Sequence, residues 1–264
     1  MCAREKARSR LGGFWSVSFS DEEVERYARH LVLREIGGPG QQALKAARVL
    51  IVGAGGLGAP AALYLAAAGV GVLGLADPDI VSLSNLQRQV LFGVADLDQP
   101  KVEAAARRLA GLNPNVRVEP IAKPVDEANA RDLVRGYDLV LDGTDDFATR
   151  FAVNRACVAE GKILVSGAIG RWTGQVAVFP GRPCYQCLVP EIPPDAETCA
   201  VAGVVGALAG VIGSMMALEA VKVIARAGEP LAGRLMVYDA LEGASRTVRL
   251  PPDPVCPVCG AHGP

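Results

Sequence analysis

The chain has 264 residues, half of them hydrophobic, and a formal net charge of −1. That is enough apolar side chain for one large domain or two small ones. No basic stretch is long enough to neutralise a nucleic-acid backbone, so nucleic acid is not an expected partner.

Residues 1–20 read as a flexible N-terminal arm: a basic start, then an apolar run over 11–19 too short and interrupted for a signal segment. Residues 21–264 read as a single domain with a nucleotide-binding part over about 47–168 and a later part over about 169–264. Strand-length apolar runs alternate with helical periodicities, which argues for an α/β fold: a Rossmann-like, mostly parallel sheet with flanking helices. In chain order the spacing predicts helices over 21–36 and 40–46, a strand over 48–52, a helix over 57–68 and a strand over 71–76. A helix over 100–111, a strand over 116–121, a helix over 127–135, a strand over 138–142, a helix over 147–160 and a strand over 163–167 follow. Residues 172–179, 234–239 and 246–250 read as later strands that extend the sheet antiparallel, with a helix over 203–226 between them. Residues 203–218 carry no charge, but they fall short of the roughly 18 residues of a membrane span. Glu219 and Lys222 continue the same pattern. This segment is expected to be a core or dimer helix, not a membrane contact, with Gly206 and Gly210 permitting close packing.

After the first strand comes Gly53-Ala54-Gly55-Gly56-Leu57-Gly58. Such glycines let the backbone turn and approach a phosphate at the opening of a helix, whose N–H groups favour anions. An acidic residue about 20 positions on is expected to bond ribose hydroxyls, and Asp77 closes the second strand. These two features suit a dinucleotide and a mononucleotide equally. Arg88 in the segment 82–89 and Lys101 at the next helix start could both face phosphates. A triphosphate site needs that charge and a hydride-transfer site does not; the alternative is two solvated surface cations. Asp142, Asp145 and Asp146 lie at the carboxyl end of a strand, where open α/β sheets bind ligands. Asp145 reads as a Mg²⁺ ligand, since Mg²⁺ takes one or two carboxylates beside phosphate oxygens, and Asp146 as a helix N-cap.

Cys184/Cys187 and Cys256/Cys259 form two Cys-x-x-Cys knuckles. Together they read as one closed tetrathiolate Zn²⁺ site, structural because no position is left for water or substrate. Cys2, Cys157 and Cys199 remain as free thiols, which implies a reducing, cytoplasmic compartment.

Several segments together resemble the adenylylating enzymes related to ubiquitin-activating enzyme, in particular the bacterial MoeB/ThiF/HesA group, and within it the molybdopterin-synthase adenylyltransferase type. They are Arg26-Tyr-Ala-Arg-His30, the glycine loop, Asp77-Pro-Asp79, Ser84-Asn-Leu-Gln-Arg-Gln89, Pro100-Lys101-Val102, Thr144-Asp145, Thr198-Cys199 and the two knuckles. The resemblance covers about 22–260. It implies ATP-dependent activation of the C-terminal glycine of a small ubiquitin-like sulfur-carrier protein ending in Gly-Gly, for molybdopterin, thiamine or another thio-cofactor. It also implies a homodimer, and a separate protein as sulfur donor. By residue, it implies a ribose acid at Asp77 and triphosphate contacts at Asn85, Arg88 and Lys101. Asp145 would be linked to Mg²⁺, Arg29 would reach the γ-phosphate from the other subunit, and Cys199 would be a candidate covalent site for sulfur or carrier. The later part, 169–264, would be the carrier-docking and zinc part. Thr-Asp-Asp at 144–146 departs from the family's frequent Thr-Asp-Asn, which leaves position 146 without an implied role. Competing expectations are an NAD(P)-dependent oxidoreductase with structural zinc, a non-catalytic scaffold for a ubiquitin-like partner, and a tRNA-modifying dehydratase of the same superfamily. The last usually lacks the paired knuckles.

Overall fold

The computed structural model describes residues 18–192 and 203–260. Cys2, Cys199 and most of the expected arm lie outside the described residues. Strands β1 (Arg48–Val52), β2 (Val72–Ala76), β3 (Arg117–Ile121), β4 (Leu139–Asp142) and β5 (Ile163–Gly170) pair in parallel. Strands β6 (Thr173–Phe179), β7 (Arg234–Asp239) and β8 (Ala244–Arg249) extend the sheet antiparallel. The order is β3-β2-β1-β4-β5-β6-β7-β8, so the chain reverses its direction of winding between β1 and β4.

Register does most of the work of bringing distant segments together. Val52 sits opposite both Ala76 and Asp142, and Asp142 sits opposite Ser166. The residues that leave these strands therefore emerge side by side at one edge. Gly53 N–H still bonds the Ala76 carbonyl at 2.8 Å and Gly143 N–H bonds that of Val52 at 3.0 Å, so both loops start rigidly anchored.

Alternation along β1 sends Val49 and Ile51 to one face and Leu50 and Val52 to the other, as the two-residue period of a strand requires. Helices α4 (Gly58–Ala67), α5 (Lys101–Leu112) and α9 (Gly206–Ala225) cover the first face. Helices α6 (Ala130–Arg135) and α7 (Phe147–Ala159) cover the second. A sheet covered on both faces explains why its parallel strands read as nearly continuous apolar runs. Of the described helices, α9 is long and apolar enough to cross a membrane by length and composition. Here it lies along the sheet with Ile212, Met216 and Ala220 fully covered, and side chains the size of Ile and Met contribute about 1.5–3 kcal/mol each when buried.

The N-terminal helix departs from expectation. Instead of one helix over 21–36 there are α1 (Asp21–Arg26) and α2 (Ala28–Leu31). The break falls at Tyr27, whose ring packs over Gly69 and whose hydroxyl accepts a 2.9 Å bond from Asn113. These contacts fix a backbone conformation that an uninterrupted helix cannot supply. Ser20 and Glu23 form a capping box for α1, so residues 18–20 pack as part of the body. Helix α3 (Gly37–Ala46) starts earlier than expected because Pro39 sits in its first turn, where no N–H is required. Helix α6 starts later than expected, because the Asp126 carboxylate caps the turn at 128–129. A short helix, α8 (Tyr185–Leu188), was not expected. The close packing assigned to Gly206 and Gly210 is made by Gly206 and Gly213. A Cβ at Gly213 would overlap the Leu57 carbonyl and Pro60, whereas one at Gly210 meets open space.

Candidate functional site

A cleft of about 630 Å³ lies beyond the carboxyl ends of the parallel strands, where the strand order reverses. Gly53, Gly55, Gly56, Asp77, Asn85, Arg88, Lys101 and Asp145 all line it. Gly58 and Arg29 do not. Gly53 holds a left-handed φ of 89°, open to glycine at little cost. At Gly58 a Cβ would overlap the Gly53 carbonyl, so this glycine lets α4 pack against the loop. Arg29 is exposed on α2.

Asp77 follows β2 directly and is buried. Its carboxylate accepts from Ala54 N–H at 2.8 Å and Asp79 N–H at 2.9 Å, tying the acid to the glycine loop. Burial raises its pKa above the usual carboxylate value, against the opposing pull of Lys101 and the two backbone bonds. Lys101, the first residue of α5, is 5% exposed and not the solvated surface cation of the alternative reading. Its Nζ bonds Asp79 at 2.8 Å and stands 3.8 Å from Asp77. The 3₁₀ turn Leu83–Asn85 carries Asn85, and Arg88 donates to the Ser84 carbonyl at 3.2 Å.

Across the cleft, Asp145 is exposed. Asp146 is the N-cap of α7, accepting from Thr149 N–H at 2.7 Å. Arg150, in the first turn of α7, is a residue the motifs did not reveal. It is 4% exposed and donates to the Thr144 and Gly167 carbonyls and to Ser166 Oγ, so it clamps the loop carrying Asp145 onto β5. Burial disfavours its charge, but Asp142 at 3.7 Å leads the groups that hold the guanidinium protonated. The Tyr185 ring lies 5.8 Å from that guanidinium and also lines the cleft. Gln89, Thr144, Phe147 and Gln175 also line the cleft, with no role assigned to them from the sequence. An Arg four positions into a helix has no local pattern that separates it from a surface residue.

Tyr185 belongs to the first knuckle. The Sγ atoms of Cys184, Cys187, Cys256 and Cys259 lie within 4.8 Å of one another, with Cys184–Cys256 at 3.7 Å and Cys187–Cys259 at 3.3 Å. Zn–S bonds of about 2.3 Å in a tetrahedron put sulfurs about 3.8 Å apart, so the four thiols fit a Zn²⁺ ion. Asn154 Nδ2 points to Cys184 Sγ at 3.6 Å and Asp253 N–H to Cys187 Sγ at 3.4 Å, the kind of outer bonds that orient ligands. Asn154 Oδ1 also accepts from Tyr185 N–H at 2.8 Å. Cys157, by contrast, is a lone buried thiol whose pKa burial pushes up, which makes it inert.

The chain is 49% identical over 251 residues to a sulfur carrier protein adenylyltransferase of Thermus thermophilus, covering 92% of this chain and 93% of that protein. It is 48% identical over 244 residues to the molybdopterin-synthase adenylyltransferase of Escherichia coli, covering 91% and 98%. Its structure resembles that of E. coli MccB with a TM-score of 0.80 at 25% identity, over 94% of this chain and 75% of that one. The ThiF family pattern matches residues 27–258, and with relatives of this identity aligned over nearly its whole length, the protein belongs to the ThiF family.

Proposed function

We propose that the protein uses ATP to adenylylate the C-terminal glycine of a small ubiquitin-like sulfur-carrier protein ending in Gly-Gly, for molybdopterin or another thio-cofactor. The observation that carries this reading is the meeting of a glycine loop, a buried ribose-type acid, two cations and an exposed carboxylate in one cleft. The chain's near-half identity to adenylyltransferases of such carriers supports it.

An oxygen of the carrier's terminal carboxylate attacks the α-phosphorus. The new P–O bond forms as the bond to the bridging oxygen breaks, and that electron pair leaves with pyrophosphate. A terminal carboxyl with pKa of about 3.3–3.7 is already ionised near neutrality, so no general base is required, and no histidine is among the described residues that line the cleft. Catalysis is then positioning and charge stabilisation. The loop N–H groups of Gly55 and Gly56 face the phosphates, Asp77 accepts from the ribose, Asn85 bonds a phosphate oxygen, and Arg88 and Lys101 offset charge on the leaving pyrophosphate. Lys101 is pre-oriented for this by Asp79. Arg29, outside the cleft of its own chain, serves the neighbouring subunit of a homodimer. Asp145, exposed on the cleft wall, is the carboxylate that would hold Mg²⁺, which when bound neutralises phosphate charge. The four knuckle thiolates would hold a structural Zn²⁺, and residues 169–264 would dock the carrier. Sulfur comes from a separate donor protein.

The test is ATP–pyrophosphate exchange. Exchange is expected only when a Gly-Gly-ending carrier is added, and Cys199→Ala is expected to leave it nearly unchanged, since adenylation needs no thiol. Exchange without carrier, or thermal protection by NAD(P)H in place of ATP–Mg²⁺, would overturn the reading.

A further inference from the structure

In the segment Arg26-Tyr-Ala-Arg-His30, every polar side chain but one is tied to the body of its own chain. Arg26 donates to the Leu112 carbonyl at 3.1 Å and to Glu22 at 3.2 Å, and Tyr27 accepts from Asn113 at 2.9 Å. His30 Nδ1 lies 2.9 Å from Gln41 Oε1. Arg29, between these anchors, is exposed and has no hydrogen bond or ion pair among the described residues. The two partners that receive Tyr27 and His30 are carboxamides, both 0% exposed: Gln41 on α3 and Asn113 at the C-cap of α5. Each also grips the C-terminal end of α4. Gln41 Nε2 donates to the Ala68 carbonyl at 2.8 Å and Asn113 Nδ2 to the Ala66 carbonyl at 2.7 Å. Helix α2 is thereby fastened, through two buried amides, to the helix that the glycine loop opens.

The amide at 41 also sets the state of the imidazole. A backbone carbonyl only accepts, so the Ala68 bond fixes which end of the carboxamide is nitrogen and turns its oxygen toward His30. An acceptor in that place requires the ring hydrogen on Nδ1. The hold matters because α2 is a single turn of four residues, and so short a helix is not stable on its own backbone bonds. Tyr27 and His30 are three positions apart and share the inward side of that turn, which leaves Arg29 off that side and free.

We infer that His30 is a positioning residue for Arg29: bonded to Gln41, it fixes the turn of α2 from which the guanidinium is presented. The inference rests on the reading above that gives Arg29 a part in the neighbouring subunit's site. It has a signature that a histidine serving only stability lacks, since its effect on rate must pass through Arg29.

The experiment measures carrier-dependent ATP–pyrophosphate exchange at saturating ATP and carrier, below the melting temperature of every variant. The variants are His30→Leu, His30→Gln and His30→Asn, each alone and combined with Arg29→Ala. An asparagine amide nitrogen takes the place of Nδ1 and can donate to Gln41; a glutamine sets its amide further out, at the place of Nε2, and leucine has no donor. His30→Leu and His30→Gln should each lower exchange about tenfold, within the loss of about a hundredfold that a misplaced catalytic group can cause. His30→Asn should recover most of the rate. Arg29→Ala alone should lower exchange about a hundredfold or more, and adding His30→Leu or His30→Gln to it should change the rate less than about twofold, because residues that act as a unit are not additive. A His30 effect as large with Arg29→Ala as without it overturns the inference, as does a wild-type rate in His30→Gln. If His30→Leu does not fold, His30→Gln carries the same comparison. Failure of the underlying reading is seen in separate arms, as a wild-type rate in Arg29→Ala or no exchange by the wild type.

Discussion

The cleft and the cysteine knuckles sit a few residues apart yet are built on opposite principles. The cleft stands on a sheet whose two faces are covered by large apolar clusters, and its loops are backbone extensions of fully buried strands. The knuckles have almost no core of their own: Cys184, Cys256 and Val258 are buried there, with Val158 packed alongside. In the first region the fold is given and loops carry the chemistry. In the second, four thiols that fit a metal ion stand where a core would otherwise be. Changes to the cleft should therefore cost rate without stability, and changes to the knuckles should cost stability first.

The largest expected effect is at the knuckles. Cys256→Ser should abolish zinc retention and lower the melting temperature by about 10 °C or more, because the binding energy of a structural metal is folding energy. Metal analysis beside calorimetry checks this; a wild type that folds fully and carries no metal would end the comparison. Next is Asp145→Ala, expected to lower carrier-dependent exchange by about a hundredfold or more while melting temperature and zinc content stay unchanged, since Asp145 is exposed. A drop in melting temperature would show that the acidic loop is part of the scaffold.

Tyr185 is where the two regions touch: its backbone shares Asn154 with Cys184 and its ring faces Arg150 in the cleft. Tyr185→Leu should raise the KM for ATP a few-fold, on the scale of a lost cation–π contact of about 0.5–2 kcal/mol, with zinc content retained. Zinc loss in that variant would mean that Tyr185 serves the knuckle and not the cleft. The smallest effect lies at the C-cap of α7. Bonds from Arg135 and then Arg131 hold the Glu160 carboxyl down to about 2, below its ordinary 4.5. A depressed carboxylate contributes stability that is present above its unfolded pKa and fades as pH falls through the folded one. The small melting-temperature difference between wild type and Glu160→Gln should thus close between about pH 5 and pH 2, and a difference that persists at the acid end contradicts that assignment.

What the sequence determined by itself is local. A run such as Arg48-Val-Leu-Ile-Val52 has no way to be stable except between two covered faces, so the strands and most helices could be read to within a few residues. The glycine loop, Asp77 and the two Cys-x-x-Cys pairs carry spacings that a turn or a metal dictates over a handful of positions. The tertiary structure decided everything set by contact between distant segments. Tyr27 breaks the first helix because Gly69 and Asn113 receive it. Gly213, not Gly210, takes the close approach because Leu57 and Pro60 lie against it. Strand register places Asp142 level with Val52 and Ser166, and so brings the acidic loop, the glycine loop and the Arg150 clamp to one edge. Arg150 enters the cleft for the same reason: its role comes from partners on the acidic loop and on β5, a strand 16 and 17 residues further along. Such long-range contacts leave no period or spacing in the chain.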